Sequence, residues 1–274
     1  MLRASRVRLA CAPGYRQATC EACREARFVL FKQPEHFHGA IVNSKASSDV
    51  TVPYHHGNLR NALIAEGRRA LEEIGVHELS LRYLARKAGV SEAAPSHHFA
   101  GKEGLLAAIA ADGFRDLAAL RVAIAESDET ALSKAYRMMR VYVEFAQRYK
   151  GLFELMVGPR IVARDSYPEL STETTKSFRL FASSVEQFAL EKQWEERSLT
   201  LVTHAAWSME HGLATLILSD RMPRSDKPLS IDQVVEFSIS MFLSAVAAGA
   251  SSLEEVMTHI QGLHSAGKAK RTQR

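Results

Sequence analysis

The side chains best suited to hold a metal ion lie near the start of the chain. Cys11, Cys20 and Cys23 are its only cysteines, and His36 and His38 follow them. A structural zinc site usually repeats a closely spaced ligand pair further along the sequence, and the two histidines match that pattern poorly. We therefore expect no metal and no cofactor, with a zinc knuckle as the alternative for this segment. Because no cysteine follows residue 23, a disulfide framework is excluded for the rest of the chain, and a reduced, cytoplasmic setting is favoured.

Catalytic motifs are not found elsewhere in the sequence. It contains no Gly-x-Ser-x-Gly, no His-Glu-x-x-His and no glycine-rich loop of the kind that surrounds a phosphate. An enzyme would need a nucleophile, a base and an orienting group that converge on one site. The residue types therefore favour a binding protein over an enzyme.

The clearest functional pattern is a helix-turn-helix. Ser80 is suited to cap a short helix, since its hydroxyl can accept a backbone N–H that has no helical partner. After that helix, Gly89 can adopt the left-handed conformation that reverses the chain, and Val90 can be buried between two helices. Ser91 then predicts the start of a second short helix, Glu92–Phe99. A unit of this kind can present its second helix, the recognition helix, to the major groove of DNA.

These residues resemble the DNA-binding domain of the TetR family of transcriptional regulators. The resemblance spans residues 54–106 and is strongest in Leu84–Ser91, Ser96–Phe99 and Lys102–Leu106. Further along, Ala206–Leu213 is similar to the Trp-x-x-x-His-Gly motif of one class of TetR-type C-terminal domains. The resemblance implies an all-α fold, in which an N-terminal three-helix helix-turn-helix DNA-binding domain precedes a C-terminal helical bundle for ligand binding and dimerisation.

The pattern of apolar residues divides the chain into four parts. Sustained helical periodicity begins only after Pro53. The predicted parts are a disordered N-terminal extension (1–50), the DNA-binding domain (51–105), the ligand-binding and dimerisation domain (106–265) and a basic flexible tail (266–274). The formal net charge of +4 comes from the extension, which holds eight basic and four acidic residues, so charge alone is a weak argument for nucleic-acid binding.

Two kinds of DNA contact are expected from the helix-turn-helix. The N-terminal half of the recognition helix would meet base edges, where Glu and Ser can hydrogen-bond and Ala or Pro can only touch thymine methyl groups. Basic and polar side chains near helix N-termini would meet phosphates. The predicted DNA-binding residues are Ser80, Arg82, Ser91, Glu92, Ala93, Ala94, Pro95, Ser96, His97 and Lys102. In contrast, His98 and Phe99 are expected to pack against the first helix.

Aromatic residues are concentrated in the C-terminal half, several of them at helical spacing. Packing in the core is the ordinary interpretation for any one of them. The resemblance adds an alternative, in which part of the set lines an apolar pocket for a small-molecule effector of unknown identity. The candidate pocket residues are Phe145, Tyr149, Phe153, Phe178, Phe181, Trp207 and His211.

Two later segments, 199–220 and 231–249, have the period of packed helices. The predicted stripes are Leu199, Val202, Ala206, Met209, Leu213 and Leu216 on the first, and Ile231, Val235, Ser238, Phe242, Ala245 and Gly249 on the second. The resemblance implies a homodimer in which these segments form an intersubunit four-helix bundle. A single chain could instead bury both stripes internally. No apolar run in the sequence is long enough for a membrane helix.

The sequence therefore predicts a one-component transcriptional regulator, which we expect to be a repressor. Its dimer would bind double-stranded operator DNA of pseudo-palindromic sequence and be released by a small-molecule effector. The alternatives are a helical ligand-binding protein with a vestigial helix-turn-helix and, less favoured, an enzyme. The near-neutral body of the chain and the apolar recognition helix are the features that support the first alternative.

Overall fold

The computed structural model describes residues 59–158, 162–163, 166–222 and 229–260. All of the described residues belong to one compact unit, Tyr54–Arg274. The expected extension (1–50), with Cys11, Cys20 and Cys23, and the expected tail (266–274) lie outside the described residues.

The described residues form helices and no strands, which confirms the predicted all-α class. The helices are α1 (Leu59–Glu78), α2 (Leu81–Lys87), α3 (Gly101–Ala125), α4 (Ala131–Arg148), α5 (Lys150–Val157), α6 (Pro168–Glu191), α7 (Glu196–Leu218), α8 (Ile231–Ala247) and α9 (Ala250–Ile260). A four-residue 3-10 helix, Ala94–His97, lies between α2 and α3.

The long helix α3 connects the helix-turn-helix to the bundle. It starts just after the 3-10 helix and continues for 25 residues, so the predicted domain boundary at residues 105 and 106 falls inside it. Its many alanines leave room for neighbours on several sides, and most of its residues from Gly104 to Ala118 are buried. One continuous helix thus borders both the helix-turn-helix and the bundle.

A second connection joins α1 to α5. Gly151, in the first turn of α5, lies so close to α1 that a Cβ atom there would be 2.5 Å from the carbonyl oxygen of Leu71. The Glu72 carboxylate accepts hydrogen bonds from the backbone N–H groups of Gly151 and Leu152, both at 3.1 Å. The carboxylate of α1 thus caps the N-terminus of α5, where the helix dipole also favours a negative charge.

The buried apolar residues form two clusters. The first joins the helix-turn-helix to α3, the end of α4 and α5, and it contains Phe145 and Phe153. The second lies among α4, α6, α7 and α8, and it contains Phe181 and Trp194. Helices α3 and α4 contribute residues to both clusters.

No single helix among the described residues has both the length and the apolar composition to cross a membrane. The consecutive helices α8 and α9 meet the criterion only when counted together, and they are bent by 98° at the break between them.

Candidate nucleic-acid interface and ligand site

The turn of the helix-turn-helix forms where the sequence predicts it. The hydroxyl of Ser80 accepts a hydrogen bond from the backbone N–H of Tyr83 at 3.1 Å and so caps α2. After α2, Gly89 has a φ of 67°, a conformation that costs glycine little, and the N–H of Val90 donates to the carbonyl of Ala85 at 3.0 Å. The two predicted cap and turn residues, Ser80 and Gly89, are confirmed.

The predicted recognition helix over Glu92–Phe99 is wrong in extent and in type. The structure has only the 3-10 helix Ala94–His97, and no side chain caps it. Ser91 contributes its backbone carbonyl, to the N–H of Ala94, rather than its hydroxyl. The physical reason is Pro95, which has no N–H and therefore cannot donate the first i→i−4 hydrogen bond, to the carbonyl of Ser91, that an α-helix starting at Glu92 requires. We call residues 91–98 the recognition segment.

The recognition segment exposes fewer base-reading groups than predicted. Glu92, Ala93, Ser96 and His97 are exposed and Ala94 is half-buried, but Pro95 is buried. Its apolar ring packs inside the helix-turn-helix and cannot reach a thymine methyl group, so its assignment to base contact is wrong.

The last two residues of the predicted helix, His98 and Phe99, differ in burial. Phe99 is buried, and the guanidinium of Arg60 in α1 lies 5.8 Å from its ring centroid. The packing predicted for Phe99 is thus confirmed. His98 is exposed, so the same prediction is wrong for His98.

The predicted phosphate-binding cations already have partners. The Nε atom of Arg82 lies 3.0 Å from the Glu92 carboxylate, and Lys102 donates to the carbonyl of His77 at 2.8 Å. Both cations are exposed, and exposed ion pairs contribute little free energy, so phosphates can replace these partners. Ser80 is half-buried and its hydroxyl is engaged in the cap.

The candidate pocket residues separate into three groups. Trp207 stacks on His211 with ring centroids 5.2 Å apart, and the ring of Phe153 lies 6.4 Å from that of His211. In the second group, Phe178 and Phe181 are 6.0 Å apart. In the third, Phe145 and Tyr149 are 5.0 Å apart. The first group is the one that extends from the surface to the core, because Trp207 is 38% exposed and Phe153 is fully buried.

Among the described residues, open grooves lie away from this stack. One, of about 490 Å³, lies between α1 and the start of α5, and Tyr149 is the candidate pocket residue in its lining. The other, of about 740 Å³, follows the outer side of α6 and is lined by residues between Pro168 and Ser183. Tyr149 therefore faces α1, apart from the Trp207–His211 stack.

Sequence reasoning missed a buried ion pair beside the candidate pocket residues. Arg121 of α3 is 3% exposed and Glu210 of α7 is fully buried, with Nη2 and Oε1 3.2 Å apart. Arg121 Nη1 also donates to the carbonyl and the hydroxyl of Ser177, at 3.0 and 3.1 Å. Its guanidinium carbon lies 5.6 Å from the ring centroid of Tyr142 and 5.2 Å from that of Phe181. The pair thus connects α3, α4, α6 and α7.

Burial sets the protonation behaviour of these groups. Desolvation raises the pKa of Glu210 well above its usual range and lowers the pKa of Arg121, while the attraction between them opposes both shifts. Desolvation also lowers the pKa of His211, whose Nδ1 lies 3.0 Å from the Tyr142 hydroxyl. The sequence held a signal for the pair: Arg121 is the only charged residue in Leu117–Ala125, and Glu210 is the only one in residues 198–219 apart from histidines.

Four of the twelve residues in the predicted dimer stripes are buried inside the chain. These residues, Val202, Ala206, Leu213 and Val235, belong to the second apolar cluster, so they cannot contact a partner chain. Each helix also has an exposed face that is mostly apolar. The exposed residues are Leu201, Ala205 and Ser208 on α7, Phe237, Met241 and Ala248 on α8, and, from the predicted stripes, Leu216 and Ala245.

Comparison with known proteins gives the same family for both halves of the described chain. Residues 63–109 match "Bacterial regulatory proteins, tetR family", and residues 135–242 match "Tetracyclin repressor-like, C-terminal domain". Over 49 residues, the chain is 45% identical to the HTH-type transcriptional regulator BetI of Yersinia pestis, a match that covers 18% of this chain and 25% of BetI.

Two further relatives match a longer part of the chain. The nucleoid occlusion factor SlmA of Idiomarina loihiensis is 26% identical over 167 residues, which cover 59% of this chain and 79% of SlmA. A solved structure of a protein of unknown function from Rhodococcus sp. RHA1 is 33% identical, with a TM-score of 0.61, and the match covers 71% of this chain and 98% of that one. Since the helix-turn-helix and the bundle behind it match one family, the chain belongs to the TetR family of DNA-binding transcriptional regulators.

Proposed function

We propose that this regulator is a repressor that binds a pseudo-palindromic operator as a homodimer and releases it when a small-molecule effector enters the bundle. The observation that carries the proposal is the continuity of α3, which begins beside the recognition segment and ends inside the bundle. One helix can therefore respond to a ligand and to DNA at the same time.

In this function, the recognition segment enters the major groove. Glu92, Ala93 and Ser96 meet base edges, while Arg82, His97 and Lys102 meet phosphates. Only Glu92 and Ser96 can hydrogen-bond to bases. So small a reading surface makes direct readout modest, and the shape of the DNA supplies part of the specificity.

Dimerisation uses the exposed faces of α7 and α8. Four helices, two from each subunit, pack through small residues such as Ala205, Ser208 and Ala245, with Phe237 and Met241 filling the space between them. The two recognition segments then lie about 34 Å apart, in successive major grooves. A tilt of α3 changes that separation and weakens binding.

The effector acts at the Trp207–His211 stack, the place where the predicted pocket residues reach the surface. A ligand that displaces this stack also moves Tyr142. The hydroxyl of Tyr142 is hydrogen-bonded to His211, and its ring lies beside the guanidinium of Arg121 in α3. The coupling needed for a usable switch is about 1–3 kcal/mol, and it is reciprocal, so operator DNA weakens effector binding by the same factor.

A fluorescence anisotropy titration with DNA from upstream of the chain's own gene tests the proposal. We expect a saturable complex of two chains per operator, with Arg82→Ala and Lys102→Ala weakening binding to all sequences alike. Ser96→Ala should instead alter the preference among operator variants. Binding no tighter to this DNA than to a scrambled sequence would favour the ligand-binding protein with a vestigial helix-turn-helix.

A further inference from the structure

Burying the Arg121–Glu210 pair in the helical bundle costs desolvation free energy. Both side chains are almost completely removed from water, and such pairs can often be replaced by apolar residues at no cost in stability. The pair also leaves two polar atoms unsatisfied: Arg121 Nε and Glu210 Oε2 are buried and have no hydrogen-bond partner among the described residues. Stability alone therefore does not account for it.

Arg121 is held in place independently of Glu210. Ser177 accepts from Nη1 with two oxygen atoms, and the rings of Tyr142 and Phe181 flank the guanidinium. These contacts leave the edge that carries Nε and Nη2 for an acidic partner. An arginine presents such an edge to a carboxylate as two parallel donors.

Glu210 contacts only the Nη2 atom of this edge and leaves Nε without a partner among the described residues. It makes one contact of 3.2 Å with Nη2, and its second oxygen makes none. Burial raises the pKa of Glu210, so protonating its carboxylate costs less free energy than it would in water. A better-positioned carboxylate can therefore displace it, provided that Glu210 takes up a proton and does not remain a lone buried charge.

Aromatic side chains connect the ion pair to the surface on the side of α7. Trp207 is exposed and stacks on His211, which is half-buried and lies one residue from Glu210. His211 in turn contacts Tyr142, whose ring lies beside the guanidinium of Arg121. A ligand that enters by displacing these rings would need an apolar body behind its charged group.

We propose that the effector is a monocarboxylate with an apolar body, and that its carboxylate replaces Glu210 on the Nε and Nη2 edge of Arg121. The ligand enters as an anion, Glu210 gains one proton from solvent, and the charge of the site is unchanged. Because Arg121 belongs to α3, the exchange releases α7 from the helix that leads to the recognition segment. This inference rests on the proposed function for its regulatory part and on the ion pair for its chemistry.

The proton balance gives a direct test. Glu210 pairs with Arg121 of α3, and the next residue on α7, His211, contacts Tyr142 of α4. On α6, Glu173 lies one turn before Ser177, and Arg115 binds one of the Glu173 oxygens. Isothermal titration of the full chain with octanoate, in two buffers of different ionisation enthalpy, measures protons bound per ligand. We expect proton uptake at about pH 8, and binding that tightens as the pH falls until Glu210 is already protonated in the free protein.

Octanamide is the matched ligand control, since it keeps the chain length and lacks the charge. We expect it to bind at least about tenfold more weakly than octanoate. Equal affinity for the two compounds, octanoate binding with no proton uptake at pH 8, or no octanoate binding at millimolar concentration would each overturn the proposal.

Two variants locate the site. Glu210→Gln imitates the protonated side chain, so it should retain octanoate binding and abolish proton uptake. The double variant Arg121→Met with Glu210→Leu replaces the pair by apolar side chains, which keeps the bundle foldable and should abolish octanoate binding. Arg137→Met with Glu129→Leu removes an ion pair near the start of α4 and is the matched control. Octanoate binding by the first double variant equal to wild type would place the ligand elsewhere and overturn the proposal.

Anisotropy with operator DNA separates this inference from the proposed function. If octanoate binds as described and weakens operator binding, the result supports both the carboxylate site and the proposed function. Octanoate binding that leaves operator affinity unchanged would overturn its assignment as effector. Failure of the wild-type chain to bind any DNA would overturn the proposed function, while the titrations above still decide the carboxylate site.

Discussion

Two opposite charges without access to water place competing demands on the stability of this bundle. Arg121 and Glu210 attract each other, but each would be strongly disfavoured if it remained alone. We expect Arg121→Met and Glu210→Leu to lower the free energy of unfolding by about 3–5 kcal/mol each, and the double variant to regain most of that loss. Urea unfolding of the four chains measures this as a double-mutant cycle. A double variant less stable than either single variant would mean that the pair itself stabilises the fold.

The carboxylate of Glu92 places a negative charge on the recognition segment. Glu92 binds Arg82 and brings a negative charge to a surface that must approach phosphates. Glu92→Gln removes this charge and the partner that Arg82 must leave before it meets a phosphate, so it should tighten binding to scrambled DNA several-fold. Glu126→Gln, at the far end of α3, makes the same charge change and should leave that affinity unchanged. Because Glu92 is also proposed to hydrogen-bond to bases, Glu92→Gln should in addition change the preference among operator variants. Equal affinity of the wild-type and Glu92→Gln chains for scrambled DNA would contradict the electrostatic effect.

At the scale of elements, the connection between α1 and α5 depends on one carboxylate. Glu72 satisfies two backbone N–H groups at the start of α5. Glu72→Ala should lower the free energy of unfolding by about 1 kcal/mol, the usual effect of losing an N-terminal cap. Its neighbour Glu73 is the control, since its only described ion pair, with Lys87, spans 4.0 Å and is exposed. Thermal melts of Glu72→Ala and Glu73→Ala that coincide would contradict the capping role.

At the scale of the whole molecule, the exposed apolar faces of α7 and α8 are the surfaces proposed for dimerisation. Phe237 is 69% exposed in the single chain, a large exposure for an aromatic side chain. Met241, also exposed, lies one turn further along the same face, so the two form an apolar patch. Phe237→Glu should give monomers in sedimentation velocity. Because two linked half-sites bind far more tightly than one, operator affinity should fall by at least about 100-fold. Leu190→Glu, on an exposed position of α6, is the control and should remain dimeric. A Phe237→Glu chain that still sediments as a dimer would exclude this face.

The features that were predictable from sequence depend on neighbouring residues. The hydroxyl of Ser80 caps a helix that starts at the next residue, and Gly89 reverses the chain through its own backbone, so residue type is sufficient in both cases. The recognition segment shows where local reasoning stops. The missing N–H of Pro95 was visible in the sequence, whereas the burial of its ring depends on packing within the helix-turn-helix.

The sequence by itself determined the all-α class, the helix-turn-helix and the family, because these follow from periodicity, caps and a contiguous motif. Tertiary structure alone decided which face of α7 and α8 is buried, since both faces carry apolar residues at helical spacing and the period cannot distinguish them. It also decided the pairing of Arg121 with Glu210. These residues are 89 positions apart, and their partnership exists only because the folded bundle brings α3 and α7 within reach of each other's side chains.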